Sequence, residues 1–79
     1  MLIKARFFAT LRQYVPQAKL GTTLEVDLPE GACLRDLLAR FEIPEDVVKL
    51  TYVNGRSQEL DFVLHAQDEV GVFPPVGGG

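Results

Sequence analysis

Cysteine and histidine are scarce in this sequence, which has one of each in 79 residues. A cysteine-rich zinc site and a four-thiolate iron-sulfur cluster each need several such ligands. An intramolecular disulfide needs a second cysteine. All three are therefore excluded, and we predict no metal site. The lone Cys33 also gives no indication of an oxidising compartment.

Long hydrophobic runs and an excess of positive charge are also absent. No apolar stretch approaches the roughly 20 residues that span a bilayer. Residues 1–4 enter a strand pattern, with no export-signal run after a basic cap. Eleven acidic and eight basic residues give a net charge of −3, which lacks the positive footprint that nucleic-acid phosphates require. We therefore expect a cytoplasmic protein that binds neither membrane nor nucleic acid.

The length of the chain leaves room for one hydrophobic core. A domain of this size buries only about 60% of the surface that its unfolded chain exposes. A deep catalytic cleft would compete with the core for the same side chains, which argues against a self-contained enzyme. The charge is uneven, because residues 42–79 carry two basic and seven acidic side chains. If the working surface lies in this half, we expect a partner with a basic docking surface.

Alternating hydrophobicity and turn signals predict five strands. The dipeptide Asn54-Gly55 is the strongest hairpin signal, and it separates the third strand from the fourth. Pro74-Pro75 ends the last strand, because proline cannot donate a backbone hydrogen bond. The predicted strands cover residues 2–9, 23–28, 50–53, 58–60 and 70–73.

One main helix is predicted between the second and third strands. Its apolar stripe recurs at helical spacing and comprises Leu34, Leu37, Leu38 and Phe41. Cys33 occupies the N-cap position, with Asp36 three residues later. A shorter helical turn is expected over residues 10–14, capped by Thr10. The order of elements predicts an α+β domain in which the main helix lies across one face of a sheet.

The last seven residues, Phe73-Pro74-Pro75-Val76-Gly77-Gly78-Gly79, are unlike the scaffold before them. Consecutive prolines hold a chain extended and stiff, whereas glycines can thread a narrow channel. Fully extended, residues 74–79 would reach about 20 Å. A frayed terminus would explain the glycines but not the stiff proline base behind them. The pattern predicts a tail that enters the active site of another protein.

Phe8 and Phe73 are predicted to flank this tail. Each closes a strand at its C-terminal end, on the face that the alternation marks as exposed. An apolar pair near a projecting tail indicates a docking surface; the alternative is that a loop covers both rings. The predicted partner-binding residues are therefore the two phenylalanines and the tail segment Pro74, Pro75, Val76, Gly77 and Gly78.

Three motifs resemble the ubiquitin-like β-grasp sulfur carriers of the MoaD/ThiS group. They are Phe7-Phe8-Ala9-Thr10-Leu11-Arg12, Asp68-Glu69-Val70 and the terminal segment from Phe73 to Gly79. The resemblance covers essentially the whole chain. It implies a β-grasp domain over residues 1–76, with a mixed sheet of four to five strands packed on one main helix, and a flexible tail over residues 77–79. It also implies that the first and last strands are adjacent and parallel.

The resemblance implies a carrier protein, not an enzyme, that binds no cofactor itself. A ubiquitin-activating-like adenylyltransferase would use ATP to adenylate the carboxylate of Gly79, and a sulfur donor would convert it to a thiocarboxylate. As small subunit of molybdopterin synthase, the chain would pass this sulfur to the large subunit for the molybdenum or tungsten cofactor. Arg12 lies in the first motif and is a candidate partner contact, with plain solvation as the equal alternative.

Alternatives with the same sequence features stay open. Some archaeal modifiers resemble these carriers and attach to lysines through their terminal glycine, and other carriers serve thiamin or cysteine synthesis. A structural binding module is a third class. Gln67 departs from the family, which usually has glycine before Asp68, and this questions the turn there. Cys33 is interpreted as a structural cap and His65 as a loop residue, because neither has a catalytic or metal-binding neighbour in the sequence.

Overall fold

The computed structural model describes residues 1–15 and 23–75 of the chain. In order, they form β1 (Leu2–Phe7), a 3-10 helix (Ala9–Tyr14), β2 (Leu24–Asp27), α1 (Leu34–Arg40), a second 3-10 helix (Glu45–Val47), β3 (Leu50–Val53), β4 (Arg56–Ser57) and β5 (Glu69–Phe73). Within these residues, no helix is long and apolar enough to cross a membrane.

The five strands form one mixed sheet in the order β2-β1-β5-β3-β4. β1 and β5 are parallel neighbours at its centre, and every other pair is antiparallel. In the central pair, Lys4 lies opposite Glu69, and Phe7 lies opposite Val72. The predicted α+β architecture, the number of strands and the parallel pairing of the first and last strands are confirmed.

One face of the sheet carries the hydrophobic core. α1 contributes Leu34, Leu37 and Leu38 to it, as the predicted stripe requires. The Phe7 ring meets Phe41 edge-on, with centroids 5.4 Å apart. The alternating residues of the central strands complete the layer, since side chains along a strand point to opposite faces. They are Ile3, Ala5, Phe7, Val70 and Val72.

The N-terminus of α1 has the predicted cap. Cys33 is the N-cap residue, with extended backbone angles. Its backbone N–H donates to the Asp36 carboxylate at 2.8 Å. That bond lowers the pKa of the Asp36 carboxyl, and a side-chain hydrogen bond with Cys33 and the nearby Arg35 lower it further. The helix ends at Arg40, where Phe41 is the C-cap residue and Glu42 takes a positive φ of 56°.

The first strand is shorter than predicted, and the cap of the turn after it differs. Ala9 has a φ of 54°, which is incompatible with an extended strand and ends β1 at Phe7. The 3-10 helix therefore begins at Ala9, with Phe8 as its N-cap and no side-chain capping bond. The prediction that Thr10 caps this turn is wrong, because Thr10 already lies inside it.

The fourth strand lies closer to the Asn54-Gly55 turn than predicted. Asn54 and Gly55 have φ angles of 52° and 85°, the geometry of a two-residue hairpin turn. Such a turn forces the residues directly beside it to pair, so Val53 lies opposite Arg56. β4 therefore occupies Arg56–Ser57 instead of the predicted 58–60.

Hydrogen bonds connect this hairpin to the start of β5. The Asn54 side-chain amide donates to Asp68 Oδ1 at 2.9 Å, and its oxygen accepts from the Glu69 backbone N–H at 2.9 Å. The second carboxylate oxygen of Asp68 accepts from the His65 backbone N–H at 2.8 Å. We call Asn54 and Asp68 the polar clamp. Just before it, Gln67 has a φ of 72°, a conformation that favours glycine.

Candidate functional site

Phe8 and Phe73 lie side by side on the face of the sheet opposite the core. β1 and β5 are parallel, so their C-terminal ends meet at one edge of the sheet, and the Phe8 backbone N–H donates to the Val72 carbonyl at 3.1 Å. The two half-buried rings stack with centroids 4.3 Å apart and planes 4° from parallel. The expected proximity of the two rings is confirmed, and their role in partner binding stays a prediction.

β3 adds two residues to this surface. Leu50 lies opposite Phe73 in the antiparallel pair with β5, and its side chain is 37% exposed. The Tyr52 ring meets the Phe73 ring edge-on, with centroids 5.6 Å apart. We call Phe8, Leu50, Tyr52 and Phe73 the aromatic patch.

Sequence reasoning missed Leu50 and Tyr52. The segment Leu50–Val53 has no charged residue that would mark one face as wet. The signal that could have found them is the register with β5, which places alternate residues of β3 beside Phe73. The aromatic patch lines a shallow groove on the open face of the sheet, and Arg6 and Glu69 form part of its polar border.

Arg12 lies in the 3-10 helix that directly follows Phe8. Its side chain is half-buried, and its Nε donates to the Ala9 carbonyl at 3.3 Å. That bond holds the guanidinium close to the end of β1, on the chain segment adjoining the aromatic patch. The structure thus brings Arg12 near the predicted docking surface, and its contact with a partner stays a prediction.

The base of the predicted tail follows the aromatic patch without a break. The Phe73 carbonyl accepts from the Lys49 backbone N–H at 2.8 Å. Pro74 is half-buried and Pro75 is exposed, and neither can donate a backbone hydrogen bond. Described structure ends at Pro75. The predicted site residues Val76, Gly77, Gly78 and Gly79 lie outside the described residues.

The expectation of a basic partner stays a prediction, and the strand order bears on its premise. That expectation rests on the summed charge of residues 42–79. In the sheet, however, β5 from this half pairs with β1 from the other half. The residues that adjoin the base of the tail therefore come from both halves of the chain. They include Phe8 after β1 and the cationic Lys49 before β3.

The other candidate residues have structural partners. His65 is exposed in a loop, and its backbone supports the polar clamp. Cys33 caps α1, and its thiol is free and half-buried. Across residues 1–15 and 23–75, no three His, Cys, Asp or Glu side chains lie close enough together to hold a metal ion.

Comparison with known proteins gives concordant matches over nearly the full chain. A profile of the ThiS family matches residues 5–79. The small archaeal modifier protein 3 of Haloferax volcanii is 36% identical, with both chains covered completely.

Two solved structures extend this comparison. Molybdopterin converting factor subunit 1 from Pyrococcus furiosus is 34% identical, with a TM-score of 0.72 over 95% of this chain and 98% of that one. A chain in the complex of subunits 1 and 2 of the Helicobacter pylori molybdopterin-converting factor shares the fold, with 21% identity, a TM-score of 0.62 and full coverage of both. With the five-stranded sheet and its single main helix, these matches show that the chain belongs to the ThiS family of ubiquitin-like β-grasp sulfur carriers.

Proposed function

We propose that this protein carries sulfur as a thiocarboxylate on Gly79 and donates it to molybdopterin synthesis as the small subunit of a two-subunit synthase. The observation that carries the proposal is the stacked Phe8–Phe73 pair, which lies directly before Pro74 and Pro75. A partner that binds this apolar surface would receive the residues between Phe73 and Gly79 in a fixed direction. The domain would supply recognition and positioning, and the reactive group would be the terminal carboxylate.

The chemistry explains why an activating partner is needed. A carboxylate is a poor electrophile, so one oxygen of Gly79 would first attack the α-phosphorus of ATP and release pyrophosphate. A hydrosulfide ion supplied by the donor would then attack the acyl carbon, AMP would leave with one of the original oxygens, and loss of the S–H proton would give the thiocarboxylate. Glycine suits this position because no Cβ obstructs the carbonyl. The nucleotide would bind in the partner adenylyltransferase.

The pathway assignment is supported by the relatives. The P. furiosus protein is named molybdopterin converting factor subunit 1, and the H. pylori chain with the same fold comes from a complex of subunits 1 and 2 of the molybdopterin-converting factor. We propose a corresponding large subunit as the acceptor for this chain. The aromatic patch would dock first on the activating enzyme and then on this large subunit, where the tail would deliver the sulfur to a pterin precursor.

Intact-mass measurement tests the first half of this proposal. The full chain, incubated with ATP, its activating enzyme and a sulfur donor, is expected to gain about 16 Da as sulfur replaces oxygen. Fragmentation should place the gain on Gly79. Omission of ATP is the control and should leave the mass unchanged. An unchanged mass with an activating enzyme that is active on another carrier would contradict the proposal.

A second candidate function rests on the similarity to the small archaeal modifier protein 3. In that case the activated Gly79 would form an amide with the ε-amino group of a lysine on a target protein. The tagged full chain, purified from cells under denaturing conditions, would then yield branched peptides that join Gly79 to lysine. A variant without Gly78 and Gly79 is the control. Branched peptides in the wild type alone would support the modifier role, and their absence would favour the carrier.

A further inference from the structure

Gly71 occupies an unfavourable position for a glycine. It lies in the middle of β5, the central strand, with Arg6 of β1 and Tyr52 of β3 as its register neighbours. Glycine inside a strand is destabilising relative to alanine, because it loses more conformational freedom on folding. Strand interiors favour β-branched and aromatic residues instead. A glycine here therefore needs a specific reason.

Backbone geometry does not supply that reason. Among the described glycines, Gly31 and Gly55 have positive φ angles, whereas Gly71 does not. The reason is space on the open face of the sheet. A Cβ at residue 71 would lie 3.2 Å from Cε2 of Phe73 and 3.6 Å from Cε2 of Phe8. The edges of both stacked rings thus lie in contact with the position that a Cβ of residue 71 would occupy.

We infer that Gly71 is a positioning residue for the aromatic patch: its missing side chain lets the Phe8–Phe73 pair lie close against the sheet. This inference rests on the proposed function, in which that pair is the docking surface at the base of the tail. A side chain at residue 71 would push the rings outward. Because Phe73 also meets Tyr52 edge-on, the shape of the whole patch would change.

The ring of Phe73 has to move if a side chain is added, because its backbone is fixed. The Phe73 carbonyl accepts from the Lys49 N–H at 2.8 Å, and the Phe8 N–H donates to the carbonyl of the preceding Val72 at 3.1 Å. Alanine at residue 71 requires a displacement of a few tenths of an ångström. Valine adds two methyl groups to that Cβ, and we expect them to displace the two rings further than alanine does.

The test compares Gly71→Ala and Gly71→Val with the wild type in the full chain. Glu25→Val is the matched control, since Glu25 is an exposed residue of the edge strand β2 opposite Lys4, outside the aromatic patch. Two readouts are needed. Nuclear Overhauser contacts between the Phe8 and Phe73 ring protons report the stack, and steady-state thiocarboxylation reports kcat and KM of the activating enzyme for this protein. Thermal unfolding checks that each variant folds.

We expect Gly71→Val to lose the ring contacts and to raise KM about tenfold while kcat changes little, because part of a central docking contact is lost. The ring contacts and the KM of Gly71→Ala should lie between those of Gly71→Val and the wild type. Glu25→Val should match the wild type in both readouts. Intact ring contacts in Gly71→Val, or lost contacts with an unchanged KM, would overturn the inference. If valine prevents folding, the alanine variant decides: weakened ring contacts with a raised KM support the inference, and ring contacts and KM equal to those of the wild type overturn it.

Failure of the proposed function would look different. The wild-type protein itself would then gain no sulfur, whatever residue 71 is. In that event the ring contacts alone decide the inference: their loss in Gly71→Val supports a positioning role for Gly71, and their retention overturns it.

Discussion

The two ends of the central β1–β5 pair differ in the contacts that their side chains make. At the start of β5, the polar clamp of Asn54 and Asp68 pairs side-chain groups with the backbone of His65 and Glu69. At its other end, Phe8 and Phe73 stack on each other and remain half-exposed beside the proline base of the tail. The first end satisfies its hydrogen-bonding groups within the chain, and the second leaves apolar surface for another molecule to cover.

This difference separates structure from function within a single pair of strands. Hydrogen bonds made inside the domain set the register of the hairpin and of β5, and they gain nothing from a partner. Exposed aromatic rings gain free energy only when a partner removes them from water. Substitutions at the clamp should therefore change stability, and substitutions at the patch should change docking.

Removal of the Phe73 ring should give the largest functional effect. We expect Phe73→Ala to lower kcat/KM for thiocarboxylation about 30-fold, which corresponds to a docking hot spot of about 2 kcal/mol. Phe41→Ala is the matched control, because Phe41 is also half-buried but meets Phe7 on the core side of the sheet. It should lose stability and keep its kinetics. Equal losses of kcat/KM in Phe73→Ala and Phe41→Ala would contradict a docking role specific to the open face of the sheet.

Loss of the polar clamp should give the opposite result. Asp68→Ala removes the acceptor of the Asn54 amide and of the His65 N–H. Because these groups are near solvent, we expect the free energy of unfolding to fall by about 1–2 kcal/mol. Urea unfolding measures this fall, and kcat/KM for thiocarboxylation should stay within about twofold of the wild type. A kinetic loss as large as that of Phe73→Ala would contradict a purely structural clamp.

Relief of backbone strain beside the clamp should stabilise the protein. Gln67 has a φ of 72°, and a non-glycine residue in the left-handed region costs about 1–2 kcal/mol. We expect Gln67→Gly to raise the free energy of unfolding by about 1 kcal/mol, since glycine loses part of this gain to its greater freedom when unfolded. Gln67→Ala is the control and should give no gain. A destabilised glycine variant would show that the Gln67 side chain contributes more than its strain costs.

The smallest effect is expected at the helix cap, which belongs to neither end. The bond from the Cys33 N–H lowers the pKa of the Asp36 carboxyl. A lowered pKa in the folded state contributes stability above the unfolded pKa of about 3.9, and this contribution is lost as the pH falls through the folded pKa. In urea unfolding, wild type should be more stable than Asp36→Asn at neutral pH, and the gap should close in acid. A gap independent of pH would contradict this assignment.

Much of the fold can be predicted from the sequence because it depends on local periodicity. The alternation in β1 and β5 and the stripe of Leu34, Leu37 and Leu38 each specify a buried face. The errors concern residues whose conformation the pattern does not show. Ala9 shortens β1 through its positive φ, and the tight Asn54-Gly55 turn moves β4 to Arg56–Ser57.

The candidate site was predictable only in part. Phe8 and Phe73 stand out because each is an aromatic residue where the alternation expects a polar one. Leu50 and Tyr52 do not, since their contribution depends on the pairing of β3 with β5. The role of Gly71 does not follow from the sequence, because the crowding above it comes from the ring of Phe73 on β5 and the ring of Phe8 just after β1.

Single-turnover sulfur transfer would show whether the sulfur carried on Gly79 reaches the pterin. The full chain, first converted to the thiocarboxylate, is mixed with the large subunit and the pterin precursor, and its intact mass is followed with time. We expect the protein to lose about 16 Da as oxygen returns to Gly79, in step with the appearance of sulfur in the pterin. A thiocarboxylate that persists, with a large subunit that accepts sulfur from another carrier, would contradict the account.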